Sequence, residues 1–266
     1  MKKDLVTIAD LSRDEIYRLF DLALRLKSQI RQQGSIRELK GRVMALIFEK
    51  PSLRTRVTFE TGMIQLGGAA IYLAPADVGL GRRESVPDVA RNLSSWVNVI
   101  VARTFAHETI TDLADNASIP VINALDNLEH PCQVLADFLT LFRLRKRLPG
   151  AVLTWVGDGN NVCHSLILAA GLLGVNLRIA TPVGYEPKAT FLELGRKFAA
   201  QSGSSIELFT EPRAAVRDTE YIYTDVWTSM GDEDQAEERR RAFAAFQVNA
   251  ALLAQAGRAA KVMHCL

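Results

Sequence analysis

Apolar residues recur along this chain in alternating registers, helical in some stretches and strand-like in others. The first clear run is helical. Ile16, Leu19, Phe20, Ala23, Leu26 and Ile30 fall on one face, with Arg18, Asp21 and Arg25 on the other. Ser12 and Glu15 form a capping-box pattern at its start, and Leu11 is placed to staple onto Ile16. The pattern then changes to short continuous apolar runs that read as buried strands: Val43 to Phe48, Ala70 to Leu73, Val97 to Ala102 and Pro120 to Leu125. Helical stretches begin between them near Ser52, Ser85 and Glu108, and Gly67-Gly68 reads as a helix stop. A longer helix follows from His130 to about Arg145, carrying Val134, Leu135, Phe138 and Leu141 on one face.

A second alternating series occupies the rest of the chain. Val152 to Val156, Leu177 to Ala180, Ile206 to Phe209, Tyr221 to Asp225 and Val262 to Cys265 read as strands, with helices at Val162 to Leu173 and Phe191 to Ala200. Alternation of this kind implies an α/β fold of two domains, each a parallel sheet with helices on both faces. The expected division is 1–129 for the first domain, 130–148 for an interdomain helix and 149–266 for the second domain. The basic run Arg143 to Arg147, followed by Pro149-Gly150, suits a helix end and a boundary. No internal repeat or low-complexity tract interrupts this order.

Composition narrows the function classes. A formal net charge of +2 over 266 residues gives no reason to expect nucleic acid or a membrane as partner. The longest uncharged stretch, Ser165 to Leu177, falls short of the roughly 20 residues that span a bilayer. Cys132, Cys163 and Cys265 are dispersed and odd in number, which argues against a disulfide framework and for a reducing compartment. With no targeting pattern at Met1-Lys2-Lys3-Asp4, a cytoplasmic location is expected.

The candidate chemistry sits where strands end and helices begin, the place where open α/β sheets bind ligands. In Phe48-Glu49-Lys50-Pro51-Ser52-Leu53-Arg54-Thr55-Arg56, free backbone N–H groups and the helix dipole favour an anion. Ser52 and Thr55 add hydroxyls, and Arg54 and Arg56 add planar forks matched to phosphate oxygens. An N-cap serine followed by solvated arginines would read the same. Two arginines in a first turn, however, oppose the dipole unless an anion is present. Arg103 closes the apolar run before it, either poised over the same crevice or paired with an acid such as Glu108. His130-Pro131-Cys132-Gln133 opens the long helix; His130 can donate to a carbonyl oxygen, while Gln133 can both donate and accept.

In the second half, Gly157-Asp158-Gly159-Asn160-Asn161 superficially matches a dinucleotide fingerprint. It has Val162 where the third glycine belongs, and no ribose-binding acid after the next strand. A nicotinamide dehydrogenase is the weaker reading. Asp225-Val226-Trp227-Thr228-Ser229-Met230-Gly231 ends another strand with a carboxylate and a small turn, and the sequence closes on His264-Cys265-Leu266. A cysteine ending a buried strand is more often inert core than nucleophile.

Together these strings resemble the aspartate/ornithine carbamoyltransferase family over essentially the whole chain. Ser52-Leu53-Arg54-Thr55-Arg56, Arg103 and His130-Pro131-Cys132-Gln133 resemble its carbamoyl-phosphate site. Asp158 to Asn161, Asp225 to Gly231 and His264 to Leu266 resemble its ornithine branch. The resemblance implies that Ser52, Leu53, Arg54, Thr55 and Arg56 cradle the phosphate. It places Arg103, His130 and Thr55 on the carbamoyl oxygen and Gln133 near the carbamoyl amide. Asn161, Asp225, Ser229, Met230, Cys265 and Leu266 would hold ornithine, with Cys265 and Asp225 against the attacking amine. Arg103, His130, Asp225 and Cys265 are thus the expected catalytic group, working with no metal and no organic cofactor.

The Gly81-Arg82-Arg83-Glu84-Ser85 turn resembles a loop that reaches a neighbouring subunit, implying a homotrimer or a multiple of trimers. The family continues beyond His-Cys-Leu with a helix returning to the first domain, so the expectation at Leu266 is either a truncated sequence or a chain that lacks this helix. Two other readings fit the same strings: a carbamoyltransferase for an N-acylated ornithine, and a non-catalytic carbamoyl-phosphate binder.

Overall fold

A computed structural model describes residues 3–81, 83–228, 233–257 and 259–265. The chain divides into two compact units, Met1–Cys132 and Gln133–Leu266.

In the first unit, helix α1 (Arg13–Gln33) starts on the expected capping box, with Ser12 accepting from Glu15 N and Glu15 accepting in return from Ser12 N. Strand β1 (Val43–Phe48) leads into helix α2 (Leu53–Gln65), and β2 (Ala69–Leu73) follows. After the short α3 (Pro75–Val78) come α4 (Val86–Trp96), β3 (Val99–Arg103), α5 (His107–Asn116) and β4 (Val121–Leu125). The strands pair in parallel in the order β2-β1-β3-β4. Alternate residues face opposite cores. Ala45, Ile47, Ile100 and Ala102 pack with Val89, Leu93, Ile110 and Leu113, while Met44, Leu46, Phe48 and Val101 pack with Met63. The chain leaves β1 for one side of the sheet and β3 for the other. The crevice at their carboxyl ends, where Phe48 stands beside Arg103, is therefore the topological switch point.

Helix α6 (Pro131–Arg145) opens the second series, followed by β5 (Val152–Val156), α7 (Asn161–Leu173), β6 (Asn176–Ala180) and α8 (Ala189–Ser202). Then come β7 (Ile206–Phe209), α9 (Pro212–Ala215), β8 (Tyr221–Thr224), α10 (Ala236–Phe243), α11 (Ala250–Leu253) and β9 (Lys261–His264). The second unit's strands run parallel in the order β7-β6-β5-β8-β9, with the switch point between β5 and β8. Helix α7 is buried almost throughout and lies against α8. A Cβ on Gly171 would stand 2.6 Å from the Gly195 carbonyl oxygen, so glycine is what allows this approach.

Three expectations need correction. The third strand begins at Val99 rather than Val97, because Val97 closes α4 by donating to the Leu93 carbonyl, and the strand takes in Arg103. The runs at β2 and β9 are edge strands of their described sheets and are not buried; Ile71 and Val262 are 49% and 48% exposed. Cys265 thus follows an edge strand and is half-buried. Helix α10, polar along most of its length, carried no apolar period that would have announced it.

Candidate active site

Ser52 is the N-cap of α2, and its hydroxyl accepts from Thr55 N at 3.3 Å. The cap satisfies one of the first-turn N–H groups and leaves others directed outward from the helix end. Leu53 at the first helical position is exposed, so it offers backbone rather than packing. Arg103 is 6% exposed, and its Nη1 donates to Thr55 Oγ1 at 3.4 Å, not to Glu108. Burial lowers its pKa, and the Arg54 charge lowers it further. Among the described residues, neither Arg54 nor Arg103 has a salt-bridge partner, and Arg103 Nε has no hydrogen-bond partner. Two neighbouring cations with unused donors at a helix N-terminus have the chemistry to hold an anion. Arg56 is differently placed: its Nε donates to Glu60 at 2.9 Å and its guanidinium lies 3.7 Å from the Tyr72 ring centroid.

His130 immediately precedes α6. Burial, and after it the Arg103 charge, push its pKa down to about 3, so the imidazole is neutral at physiological pH and offers an N–H without a charge. The turn that presents it is built on buried Asp126, whose Oδ1 accepts from Leu128 N at 2.7 Å and Glu129 N at 2.8 Å. Its Oδ2 accepts from Asn123 Nδ2 at 2.8 Å and lies 2.6 Å from His107 Nδ1. Cys132 donates to the Asn123 carbonyl at 3.5 Å, and burial pushes its thiol up to about 12.

In the second unit, the turn after β5 is tight. A Cβ on Gly159 would meet Pro187 N at 2.2 Å, so this turn is packed against the 186–187 backbone, where a dinucleotide would need open space. Asp158 is committed to Arg239, whose Nη1 lies 2.7 Å away and also donates to the Trp227 carbonyl at 3.2 Å. Asn160 caps α7, accepting from Val162 N and Cys163 N, and its Nδ2 donates to Asp225 Oδ2 at 2.9 Å. Asn161, in the first turn, accepts from Val162 N at 2.9 Å.

Asp225 is the centre of this cluster. Its Oδ1 accepts from Val226 N at 2.7 Å and from the Cys265 thiol at 2.9 Å. Burial, followed by the Asp225 charge, raises the Cys265 pKa far above the usual thiol range, so Cys265 is held protonated. Asp225, His264 and Cys265 each bring a ligand atom within 4.8 Å of the others, the kind of group among the described residues that could take a metal ion. Here the thiol proton already occupies one carboxylate oxygen. On α6, Gln133 Nε2 donates to Asp137 Oδ1 at 3.1 Å, and Tyr223 donates its phenol to Asp137 Oδ2 at 2.7 Å. The expected site residues Ser229, Met230 and Leu266, and Arg82 of the Gly81 to Ser85 turn, lie outside the described residues.

Two family models match end to end. Residues 3–143 match the aspartate/ornithine carbamoyltransferase carbamoyl-P binding domain, and 149–266 match the Asp/Orn binding domain of the same family. The chain belongs to the aspartate/ornithine carbamoyltransferase family.

Within that family it is 47% identical over 264 residues to an ornithine carbamoyltransferase of Anoxybacillus flavithermus, covering 99% of this chain and 84% of the relative. It is 46% identical over 266 residues to one of Methanosarcina acetivorans, covering 100% and 87%. The solved ornithine carbamoyltransferase from Pyrococcus furiosus superposes with a TM-score of 0.95 at 44% identity, covering 99% of this chain and 84% of that one. The Thermus thermophilus enzyme gives 0.86 at 43% identity, covering 100% and 86%. Sequence reasoning singled out the family's phosphate string and Arg103, gave Asn160 no role of its own within the Asp158 to Asn161 string, and passed over Asp137, Tyr223 and Arg239. Asn160 had a usable signal, since Asn directly before a helical run is a preferred cap.

Proposed function

We propose that this chain transfers the carbamoyl group of carbamoyl phosphate to the δ-amine of L-ornithine, giving L-citrulline and phosphate. The observation that carries the reading is the pair Arg54 and Arg103, unpaired with any acid among the described residues, beside the Ser52-capped start of α2. The relatives named ornithine carbamoyltransferase support ornithine as the acceptor.

The roles follow from the chemistry. Carbamoyl phosphate carries its own leaving group, so the residues need to orient it and meet growing charge. Ser52, Leu53 N–H, Arg54, Thr55 and the free Nη groups of Arg56 hold the phosphate. Arg103 and the neutral His130 donate to the carbamoyl oxygen, and Gln133 meets the carbamoyl amide. Asn161, Asp225, Ser229, Met230 and Leu266 hold ornithine, with Asp225 and Cys265 against its δ-amine. The nitrogen–carbon bond forms, the bond from carbon to the phosphate oxygen breaks, and the proton lost by the amine is carried away on the departing phosphate. Cys265, kept as a thiol, acts as a hydrogen-bonding neighbour and forms no covalent intermediate.

No described helix is long and apolar enough to cross a membrane. We read the enzyme as cytoplasmic, serving arginine biosynthesis, and as a homotrimer or multiple of trimers; the Gly81 to Ser85 turn and the dispersed cysteines support this. The test is ureido-product formation by the purified chain with carbamoyl phosphate and, separately, ornithine, N-acetylornithine and aspartate. Product with ornithine alone is expected. Product with the acetylated amine or aspartate instead would overturn the acceptor assignment.

A further inference from the structure

A carboxylate buried without a cation needs a reason. Asp137 is 8% exposed, on α6 one turn beyond Gln133, and among the described residues it has no salt-bridge partner. Its hydrogen-bond partners are neutral: Gln133 Nε2 on Oδ1 and Tyr223 Oη on Oδ2. Tyr223 is itself fully buried and tilted against Trp155, with ring centroids 5.2 Å apart, so the phenol is a rigid support. For stability alone an apolar residue of the same size would serve better, because burying a charge costs free energy that neutral donors recover only in part.

We propose that Asp137 is a positioning residue that fixes the orientation of the Gln133 amide and thereby makes the site select a carbamoyl group over other acyl groups. The inference rests on the proposed carbamoyl-phosphate site and deepens it. An ionised carboxylate only accepts hydrogen bonds, so Gln133 must give Asp137 its –NH2 end and present its carbonyl Oε1 on the opposite side. A carbonyl oxygen accepts from the carbamoyl –NH2 but gains nothing from a methyl group in the same place. Turned the other way, Gln133 would offer a donor to a donor. The chain Tyr223, Asp137, Gln133 thus converts a buried negative charge into the polarity of one amide, and leaving a polar partner unmatched is what gives such sites their discrimination. Burial raises the Asp137 pKa to about 6, which leaves it ionised at neutral pH as this role requires.

The test compares carbamoyl phosphate with acetyl phosphate, which keeps the phosphoryl and carbonyl groups and replaces –NH2 with –CH3. Dissociation constants for both are measured by calorimetry on the full chain and on Asp137→Leu, Asp137→Asn and Tyr223→Phe. In Asp137→Leu, carbamoyl phosphate binding weakens about tenfold while acetyl phosphate changes less than twofold, as expected for one lost hydrogen bond. Tyr223→Phe moves the same ratio in the same direction by a smaller factor, and it reports on the chain should the Leu variant not fold. Equal weakening of both ligands in every folded variant would make Asp137 merely structural and overturn the inference. So would an unchanged ratio, or a wild-type chain that binds acetyl phosphate as tightly as carbamoyl phosphate. If wild type prefers carbamoyl phosphate and the variants lose that preference, yet no amine is carbamoylated, the acceptor reading fails and this inference stands.

Discussion

The Cys265 thiol donates to Asp225 Oδ1 at 2.9 Å, so this cysteine is a hydrogen-bond donor and not a thiolate. Burial raises its pKa, the Asp225 charge adds to that, and both favour S–H over S⁻. Alkylation by iodoacetamide should therefore be slow at pH 7 and accelerate only in strongly alkaline solution, with mass spectrometry reporting Cys265 separately from half-buried Cys132 and buried Cys163. Rapid labelling of Cys265 at neutral pH would contradict this. Cys265→Ser keeps a donor and should lower kcat/KM for ornithine by less than about tenfold. Asp225→Asn should lower it more, since hydrogen bonds to a charged group are worth roughly 1.5–3 kcal/mol.

In the proposed reaction, Arg103 meets the charge that grows on the carbamoyl oxygen. Replacing it with alanine should lower kcat by about 10²–10³, the usual cost of one donor to a developing oxyanion. Arg103→Lys keeps the charge but loses the fork, and should recover only part of the rate. A kcat within threefold of wild type for Arg103→Ala, from steady-state citrulline formation, would remove it from the reaction.

Acid stability separates two buried groups by sign. The His130 pKa is depressed to about 3, so its contribution is present above the ordinary histidine pKa of 6.5 and is lost as pH falls through that window. The Asp137 pKa is raised to about 6 from 3.8, so its contribution is present below about 3.8 and is lost as pH rises towards 6. Between pH 7 and 5, His130→Asn should lose less Tm than wild type, whereas Asp137→Asn should lose more, because it lacks the relief that protonation gives. Parallel pH curves for both variants and wild type would refute the assignment.

Arg239 and Asp158 form a nearly buried ion pair at 2.7 Å, with the Arg239 guanidinium 5.2 Å from the Tyr185 ring centroid. Removing one partner leaves an uncompensated buried charge. Arg239→Ala should destabilise the chain by about 3 kcal/mol, read as a drop in urea midpoint. Replacing both residues together by Met and Leu should recover much of that loss. A single-variant loss below about 0.5 kcal/mol would put the pair among ordinary surface contacts.

Much of the architecture was legible because period and punctuation agree. The apolar run ending at Arg103 reads as a strand, and Ser12, Ser52 and Ser85 all cap the helices that their positions announced. Strand exposure was not legible. Ile71 and Val262 look like core in sequence and stand at sheet edges, because strand order follows from three-dimensional pairing and not from local pattern. The phosphate string was legible because a local helix start brings its residues together. Arg239 was not: Arg239-Arg240-Arg241 reads as a solvated run, and only the fold turns the first of them inward onto Asp158. Asp137 sits between these cases. Its spacing of four from Gln133 on a helix predicts the contact, but nothing in the sequence places Tyr223 on its other oxygen.

The proposed acceptor implies a further pH effect. An amine with a pKa near 10.4 is free base in only about one molecule in 2,500 at pH 7. Activity at subsaturating ornithine should climb from pH 7 to pH 9. A flat profile from pH 6 to 9 would count against a free-amine nucleophile.

The most direct test of carbamoyl transfer to ornithine is isotopic. Carbamoyl phosphate labelled with carbon-13 is incubated with the chain and with ornithine carrying nitrogen-15 at the δ position, and the products are followed by NMR. Transfer to the δ-amine predicts a ureido carbon split by one-bond coupling to the labelled nitrogen, appearing in step with one phosphate per ureido group. A ureido carbon without that coupling would move the reaction to another nitrogen. Phosphate released with the label left in carbamate or cyanate would contradict transfer altogether.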